Sequence, residues 1–356
     1  FIGSCKTDFE LNAPYETIPV VYGLLDQTLD TQYIKINKSF LGDGNNVDYA
    51  AINDCTHFNY LSAILEEYNE SGDLIDTDSF QEIMVGNIDA GIFYEDTQSL
   101  YYLNTTSDPL IDEYTYHLKV SVPDKNLNFN ALTELVDASA LNFGYIFRIT
   151  SQLNGFRCAD NDLATNDEYY DTQIKWNSVE NGKRYELVLK FHFTEHMSNG
   201  DIVSRYIDWD LGYQSSVSVE GTEDMYKTVS GASFFDMVNA KLDNYDLESQ
   251  VVKRTFGSKA IEYVLTVGNE TLHTYMQVNE PITSVVTERP IFTNVNNGYG
   301  LFASKAQTNF SCFVGNGTVV ELCKGQVTGE YKFCCDSSDQ IIAISNLTGG
   351  LDVGCN

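Results

Sequence analysis

The sequence predicts an all-β protein made of tandem immunoglobulin- or fibronectin-like β-sandwich domains with one or two short helices. Three observations carry this prediction. Short runs of alternating polarity recur along the chain, the period of a strand with one buried face. Gly, Asn and Asp punctuate those runs at short intervals, as the turns of a sandwich do. The 23 Tyr and 20 Phe, beside plentiful Thr and Val, favour pleated, half-buried surfaces.

Ile18 to Leu25 and Gln32 to Phe40 read as the first strands. In the second, Tyr33, Lys35, Asn37 and Ser39 alternate with Ile34, Ile36, Lys38 and Phe40. Asp43-Gly44-Asn45-Asn46 ends it as a loop. Tyr60 to Tyr68, Phe80 to Val85, Leu100 to Asn104 and Thr115 to Val122 follow, with Asn69 to Asp73 as the turn of a hairpin. Pro123 to Asn126 reads as a domain boundary, because Pro ends a strand and the alternation lapses after it. The expected organisation is therefore a tether over 1–13, a first sandwich over 14–123, a second over 124–311 and a Cys-rich segment over 312–356.

In the second sandwich the clearest strand is Arg184 to Thr194, where Tyr185, Leu187, Leu189, Phe191 and Phe193 share one face. Asn181-Gly182 reads as the hairpin turn joining it to a strand at Gln173 to Ser178. Ile202 to Leu211, Gln214 to Val219 and Ala260 to Val267 are its expected neighbours. Gly231 to Leu242 instead carries Phe234, Phe235, Val238 and Leu242 at helical spacing, the helix expected to plug one end.

Composition narrows the function classes. With 43% apolar and 20% charged residues the chain is globular. A formal charge of -30 without a local basic patch argues against a nucleic-acid partner or direct adhesion to an anionic membrane. No apolar run reaches the roughly 18 residues that span a bilayer.

Ile2-Gly3-Ser4-Cys5 looks like a bacterial lipobox, a branched apolar residue and two small ones before the cysteine that is acylated. A polar tether, Lys6 to Glu10 and then Asn12-Ala13-Pro14, follows it. Acyl chains on Cys5 would hold the protein to a membrane through lipid, at about 0.8 kcal/mol per buried methylene. Thr7-Asp8-Phe9-Glu10 resembles the acidic signal that sends Bacteroidota lipoproteins to the outer face of the outer membrane.

Cys55, Cys158, Cys312, Cys323, Cys334, Cys335 and Cys355 remain as disulfide candidates, an odd set that allows up to three bridges, concentrated near the carboxyl terminus. They lack the Cys-x-x-Cys spacing of a zinc site. His192-Phe193-Thr194-Glu195-His196 has the spelling of an inverted zinc metallopeptidase motif. That chemistry needs a helix, and strand alternation here sets Glu195 against both histidines, so a zinc hydrolase is a remote alternative. Asp160, Asp162 and Asp167 gather oxygen ligands in one loop, a possible calcium site without EF-hand order, for which a solvated acidic loop is the commoner explanation. Asn297 to Phe302 offers Tyr299 and Phe302 as a contact loop.

Tyr15 to Asp26, Gln32 to Asn45, Asp89 to Tyr94, Trp176 to Leu187, Val278 to Pro281 and Phe292 to Phe302 resemble recurring segments of an uncharacterised lipoprotein family of Bacteroidota outer membranes. The resemblance spans about Tyr15 to Ser304. It implies a lipid-anchored protein of β-sandwich domains and carries no catalytic residues. The expected role is thus a non-enzymatic, surface-exposed binding or envelope-assembly module without a resident cofactor, with an outer-membrane β-barrel, another envelope protein or a glycan as partner. A carbohydrate-binding surface protein is the alternative.

Overall fold

The alternating runs do pair into sheets: in the computed structural model, strands predominate over helices among the described residues, and the sheets stack as sandwich-like layers. The structure describes residues 16–40, 46–50, 52–86, 97–143, 155–159, 169–243, 248–280 and 290–355. The chain divides into two compact units, one within Phe1–Val136 and Gly268–Ala306, the other within Asp137–Val267 and Gln307–Asn356.

In the first unit, one sheet runs in the order Tyr299–Cys312 (up to Ala306), Pro19–Leu25, Thr31–Lys38, Thr97–Asn104 and Gln81–Gly86. The other runs Val295–Asn296, Leu127–Glu134, Thr115–Val122, Ser62–Tyr68 and Leu74–Ser79. Val21, Ile34, Ile36, Leu103 and Phe302 from the first sheet and Leu65, Tyr116, Leu118, Val120 and Phe129 from the second form one buried cluster. These are the inward positions of the period-two pattern, so the alternation is itself the cause of the sandwich. The turn between the first two strands is fixed by buried Gln32. Its Oε1 accepts from the Asp26 N–H at 2.9 Å and its Nε2 donates to the Asp26 and Leu29 carbonyls, each at 3.0 Å.

Pro123–Lys125 is not a domain boundary. It forms a 3-10 turn ended by Asn126 at φ 49°, and the strands either side pair with each other, Val122 opposite Leu127. Alternation resumes at once in Leu127–Glu134, and the units meet in sequence at Val136 and Asp137 instead. Gly268–Ala306 also returns to the first unit, against the expected 124–311 domain. Within that return lies helix Glu270–Asn279, capped by Asn269, whose Oδ1 accepts from the Leu272 N–H at 3.0 Å. The same side chain donates to Thr133 Oγ1 at 2.9 Å and to the Glu134 carbonyl at 3.1 Å. Asn269→Ala is therefore expected to lower stability by about 1–2 kcal/mol in thermal melts, a cap lost together with buried hydrogen bonds.

In the second unit the strand order is Phe333–Cys335, Val251–Phe256, Arg184–Met197, Ile261–Gly268 and the remainder of Tyr299–Cys312, with Ile202–Ser215 also paired to Arg184–Met197. Helix Gly231–Leu242 buries Phe234, Phe235, Val238 and Leu242, the four positions the spacing predicts. The hairpin expected at Asn181-Gly182 is corrected. Asn181 does turn, at φ 58°, but Thr172–Asn177 pairs with Asp224–Val229 and not with the strand that follows the turn. The link from Asn177 to Arg184 is longer than a two-residue hairpin loop, which frees the chain to leave the ladder.

Residues 312–356 belong with the second unit rather than forming a segment of their own. They add helices Asn316–Lys324 and Ser338–Thr348, so helices exceed the one or two expected. No helix among the described residues is long and apolar enough to cross a membrane.

Candidate functional site

The two glycines flanking Tyr299 show how tightly its turn is drawn. A Cβ on Gly298 would lie 2.9 Å from the Pro19 carbonyl oxygen, and one on Gly300, at φ 113°, would lie 1.9 Å from that of Val21. Neither position accepts a side chain without displacing the neighbouring strand. Asn297 enters the turn at φ 60°, and its Nδ2 donates to the Asn128 carbonyl at 3.3 Å. Opposite stands the Asn126 turn. The two turns bound an open groove of about 690 Å³ whose lining includes Glu16, Thr17, Asn126, Asn128, Asn297 and Tyr299. Each asparagine amide can both donate and accept, and the Tyr299 ring is 45% exposed. The groove can therefore hold a polar partner by paired hydrogen bonds against one aromatic face.

Phe302 is no part of this surface. It is fully buried in the first unit's core, because Tyr299 and Phe302 lie three residues apart on one strand and so point to opposite faces. On the outward face of that sheet Tyr22 and Tyr33, 46% and 51% exposed, border a second cavity of about 380 Å³. Tyr22 meets Tyr275 edge-on, at 6.3 Å and 76°, so this pair is not a coplanar stacking platform.

The His192-Glu195-His196 motif lies on a strand, Arg184–Met197, and its three side chains are not brought together. His192 Nε2 sits 2.8 Å from Glu262 Oε2, and His196 Nε2 sits 3.2 Å from Thr255 Oγ1. Glu195 is buried on the opposite face. Its Oε1 accepts from Arg254 Nε at 3.1 Å and Nη2 at 2.9 Å, and its Oε2 accepts from Arg205 Nε at 3.2 Å. Arg254, fully buried, also donates from Nη1 to the Tyr331 carbonyl at 2.7 Å. The carboxylate thus fastens two flanking strands to the central one, and its capacity as an acceptor serves that purpose.

Of the disulfide candidates, Cys334 and Cys355 are bonded, with Cα atoms 5.0 Å apart. Cys55, Cys158, Cys312, Cys323 and Cys335 are free thiols, fewer bridges than the sequence allows. Cys334 and Cys335 are consecutive on one strand and point to opposite faces, so only one of them can meet Cys355. Burial pushes the thiols of Cys312 and Cys323 up to about 12 and that of Cys158 higher still, which leaves them protonated and unreactive.

Cys5 and the calcium candidates Asp160, Asp162 and Asp167 lie outside the described residues. The carboxylates that the described residues do bring together are Asp76, Asp78 and Asp108 of the first unit, with one oxygen of each mutually within 4.8 Å. Buried Glu67 stands directly across from Asp76 on the paired strand. Its burial, then the charges of Asp108, Asp78 and Asp76, raise its carboxyl to about 7. Folded protein therefore holds a proton that the unfolded chain gives up near pH 4.5. The associated stability is full below that pH and is lost as pH rises towards 7. Melts in a chelating buffer are expected to show this decline, and Glu67→Gln to remove it.

No family model and no curated protein matches the chain. Among solved structures, the C-terminal globular domain of an oligosaccharyltransferase from Pyrococcus abyssi is similar at 10% identity and a TM-score of 0.25, over 70% of this chain and 47% of that one. The chain thus spans just under half the length of that structure, and a likeness of this degree carries no argument about fold or activity.

Proposed function

We propose that the protein is an outer-membrane lipoprotein of the Bacteroidota kind, held by acyl chains on Cys5, and that it acts as a non-enzymatic binding or envelope-assembly module. Its contact surface in this reading is the Tyr299 groove. The observation that carries it is the pair of asparagine turns that hold amides and an exposed ring around an open cleft. The lipobox spelling and the acidic surface support the anchor, since a chain of charge -30 is repelled by anionic headgroups and stays at a membrane through lipid.

Mass spectrometry of the native amino-terminal peptide tests the anchor: Cys5 is expected to carry a diacylglyceryl group, and an unmodified Cys5 removes the anchor from the proposal. A second reading, carbohydrate binding, is favoured by the Tyr299 ring standing beside the amides of Asn126, Asn128 and Asn297. Retention of the protein on immobilised glycans, lost in Tyr299→Ala, would select that reading over a protein partner.

A further inference from the structure

We propose that the outward face of the first unit's Tyr299 sheet binds an extended acidic glycan, read along a diagonal row of tyrosines and held by Lys35 and Lys305. The inference rests on the reading of the protein as a binding module and names the ligand. Strand register builds the row. Phe302 faces Gly23 toward the core, so Tyr299 and Leu301 point outward with Val20 and Tyr22, their partners on the neighbouring strand. Tyr22 stands opposite Lys35 on the next strand, and Tyr33, two residues from Lys35, shares its face. Tyr33 is directly opposite Tyr102 on the strand after that, where Tyr102 Oη donates to Gln81 Oε1 at 2.8 Å. From Tyr299 to Tyr102 the row crosses four strands and runs about 20 Å, at ~4.8 Å between strands and ~3.4 Å per residue. Tyr275 meets Tyr22 edge-on and leaves it exposed, so helix Glu270–Asn279 walls the row without covering it.

Aromatic residues paired across strands have an ordinary use, since such pairs stabilise a sheet. That use explains Tyr33 with Tyr102 but not the charge around them. Asp and Glu outnumber Lys and Arg by 51 to 21 along the chain, yet none of the outward positions on these five strands is acidic. Lys35 donates to the neutral Gln98 Oε1 at 2.5 Å, Lys305 lines the cavity of about 380 Å³ beside Tyr22 and Tyr33, and neither forms an ion pair among the described residues. Lys35 also lies on an interior strand, so guarding a sheet edge is not its role. Two lysines left without a carboxylate, in a chain so rich in them, suit an anion from outside. The rest of the surface repels a polyanion, but physiological salt screens that repulsion within about 8 Å, so the local charge decides. The rings select a sugar. The C–H faces of a pyranose carry slight positive charge and lie against the negative face of an aromatic ring, while the Tyr33 hydroxyl, which has no partner among the described residues, meets the sugar's own hydroxyls. An acidic protein segment would meet the lysines but offers no repeating flat face to the row.

The test applies the purified full chain to immobilised polygalacturonate, alginate and hyaluronate, and to methyl-esterified polygalacturonate, with affinity read by interferometry at two salt concentrations. Retention on at least one of the three acidic chains is expected, weaker at the higher salt, and absent or at least about tenfold weaker on the methyl ester. Tyr33→Ala is expected to lower the affinity at least about tenfold, or 1.4 kcal/mol. Lys35→Gln should lower it several-fold and flatten the salt dependence. Tyr206→Ala, which removes an exposed ring of the second unit, should leave retention unchanged. Tyr33 and Lys35 lie outside the core, so both variants should melt with the wild type. No retention on any of the three acidic chains overturns the glycan face, as does equal retention on the ester, or equal retention of wild type, Tyr33→Ala and Lys35→Gln. Capture of an envelope protein that Lys35→Gln abolishes, with no glycan retained, overturns it too and assigns the lysines to an acidic protein. The Tyr299 groove is judged apart from these outcomes, by envelope capture with Tyr299→Ala.

Discussion

Glu195→Ala is expected to destabilise the second unit by about 3–5 kcal/mol in denaturant melts, the cost of leaving a buried charge without its partner. Arg254 is fully buried and donates twice to one Glu195 oxygen. Truncation removes the carboxylate that faces that guanidinium, and a hydrogen bond to the neutral Tyr331 carbonyl does not replace its charge. The other arginine behaves differently. Arg205 is 41% exposed at the side chain, so Arg205→Ala should cost about 1 kcal/mol or less. Replacing both members of the buried pair, Glu195→Leu with Arg254→Met, should recover most of the loss, because the penalty lies in the unpaired charge. Equal losses for the single and double variants would contradict this account of the pair.

Phe234→Ala is expected to cost about 3–5 kcal/mol, the range for deleting a fully buried aromatic side chain. The ring has no exposed surface and, among the described residues, meets Phe156 at 4.9 Å, Phe235 at 5.3 Å, Phe191 at 5.7 Å and Trp209 at 6.3 Å. It couples helix Gly231–Leu242 to the sheet at Phe191, so the cavity it leaves opens between two elements that each hold their own geometry. Ile202→Ala, at a residue 69% exposed, should by contrast change stability by less than about 0.5 kcal/mol.

Much of this fold is legible in the sequence because its cause is local. Alternation places Tyr185, Leu187, Leu189, Phe191 and Phe193 on one buried face, and the same alternation puts Glu195 opposite His192 and His196. Helical spacing picks out Phe234, Phe235, Val238 and Leu242. The cap at Asn269 is local too, and an Asn followed by Glu270 at a helix start is a signal that strand-oriented reading passes over. Period two likewise separates Tyr299 from Phe302 once both are assigned to one strand.

What the sequence does not disclose depends on pairing between distant segments. A Pro turn inside a sheet and a Pro turn between domains have the same local chemistry, and only the pairing of Val122 with Leu127 distinguishes them. The return of Gly268–Ala306 to the first unit leaves no local mark. Nor does the acidic cluster: Asp76 and Asp78 meet Glu67 through strand register, and Asp108 arrives from beyond two further strands. The Asp160 region looks richer in ligands along the chain because adjacency in sequence is all that a linear reading can weigh.

The proposed function is tested most directly by affinity capture of the tagged full-length protein from native envelopes, run beside Tyr299→Ala. The wild type is expected to enrich an envelope protein such as an outer-membrane β-barrel, or a glycan. The variant, exposed and outside the core at that position, should fold normally and lose that partner by about tenfold or more, equivalent to 1.4 kcal/mol. Equal enrichment by both proteins, or none by either, would contradict a binding module that acts through this groove.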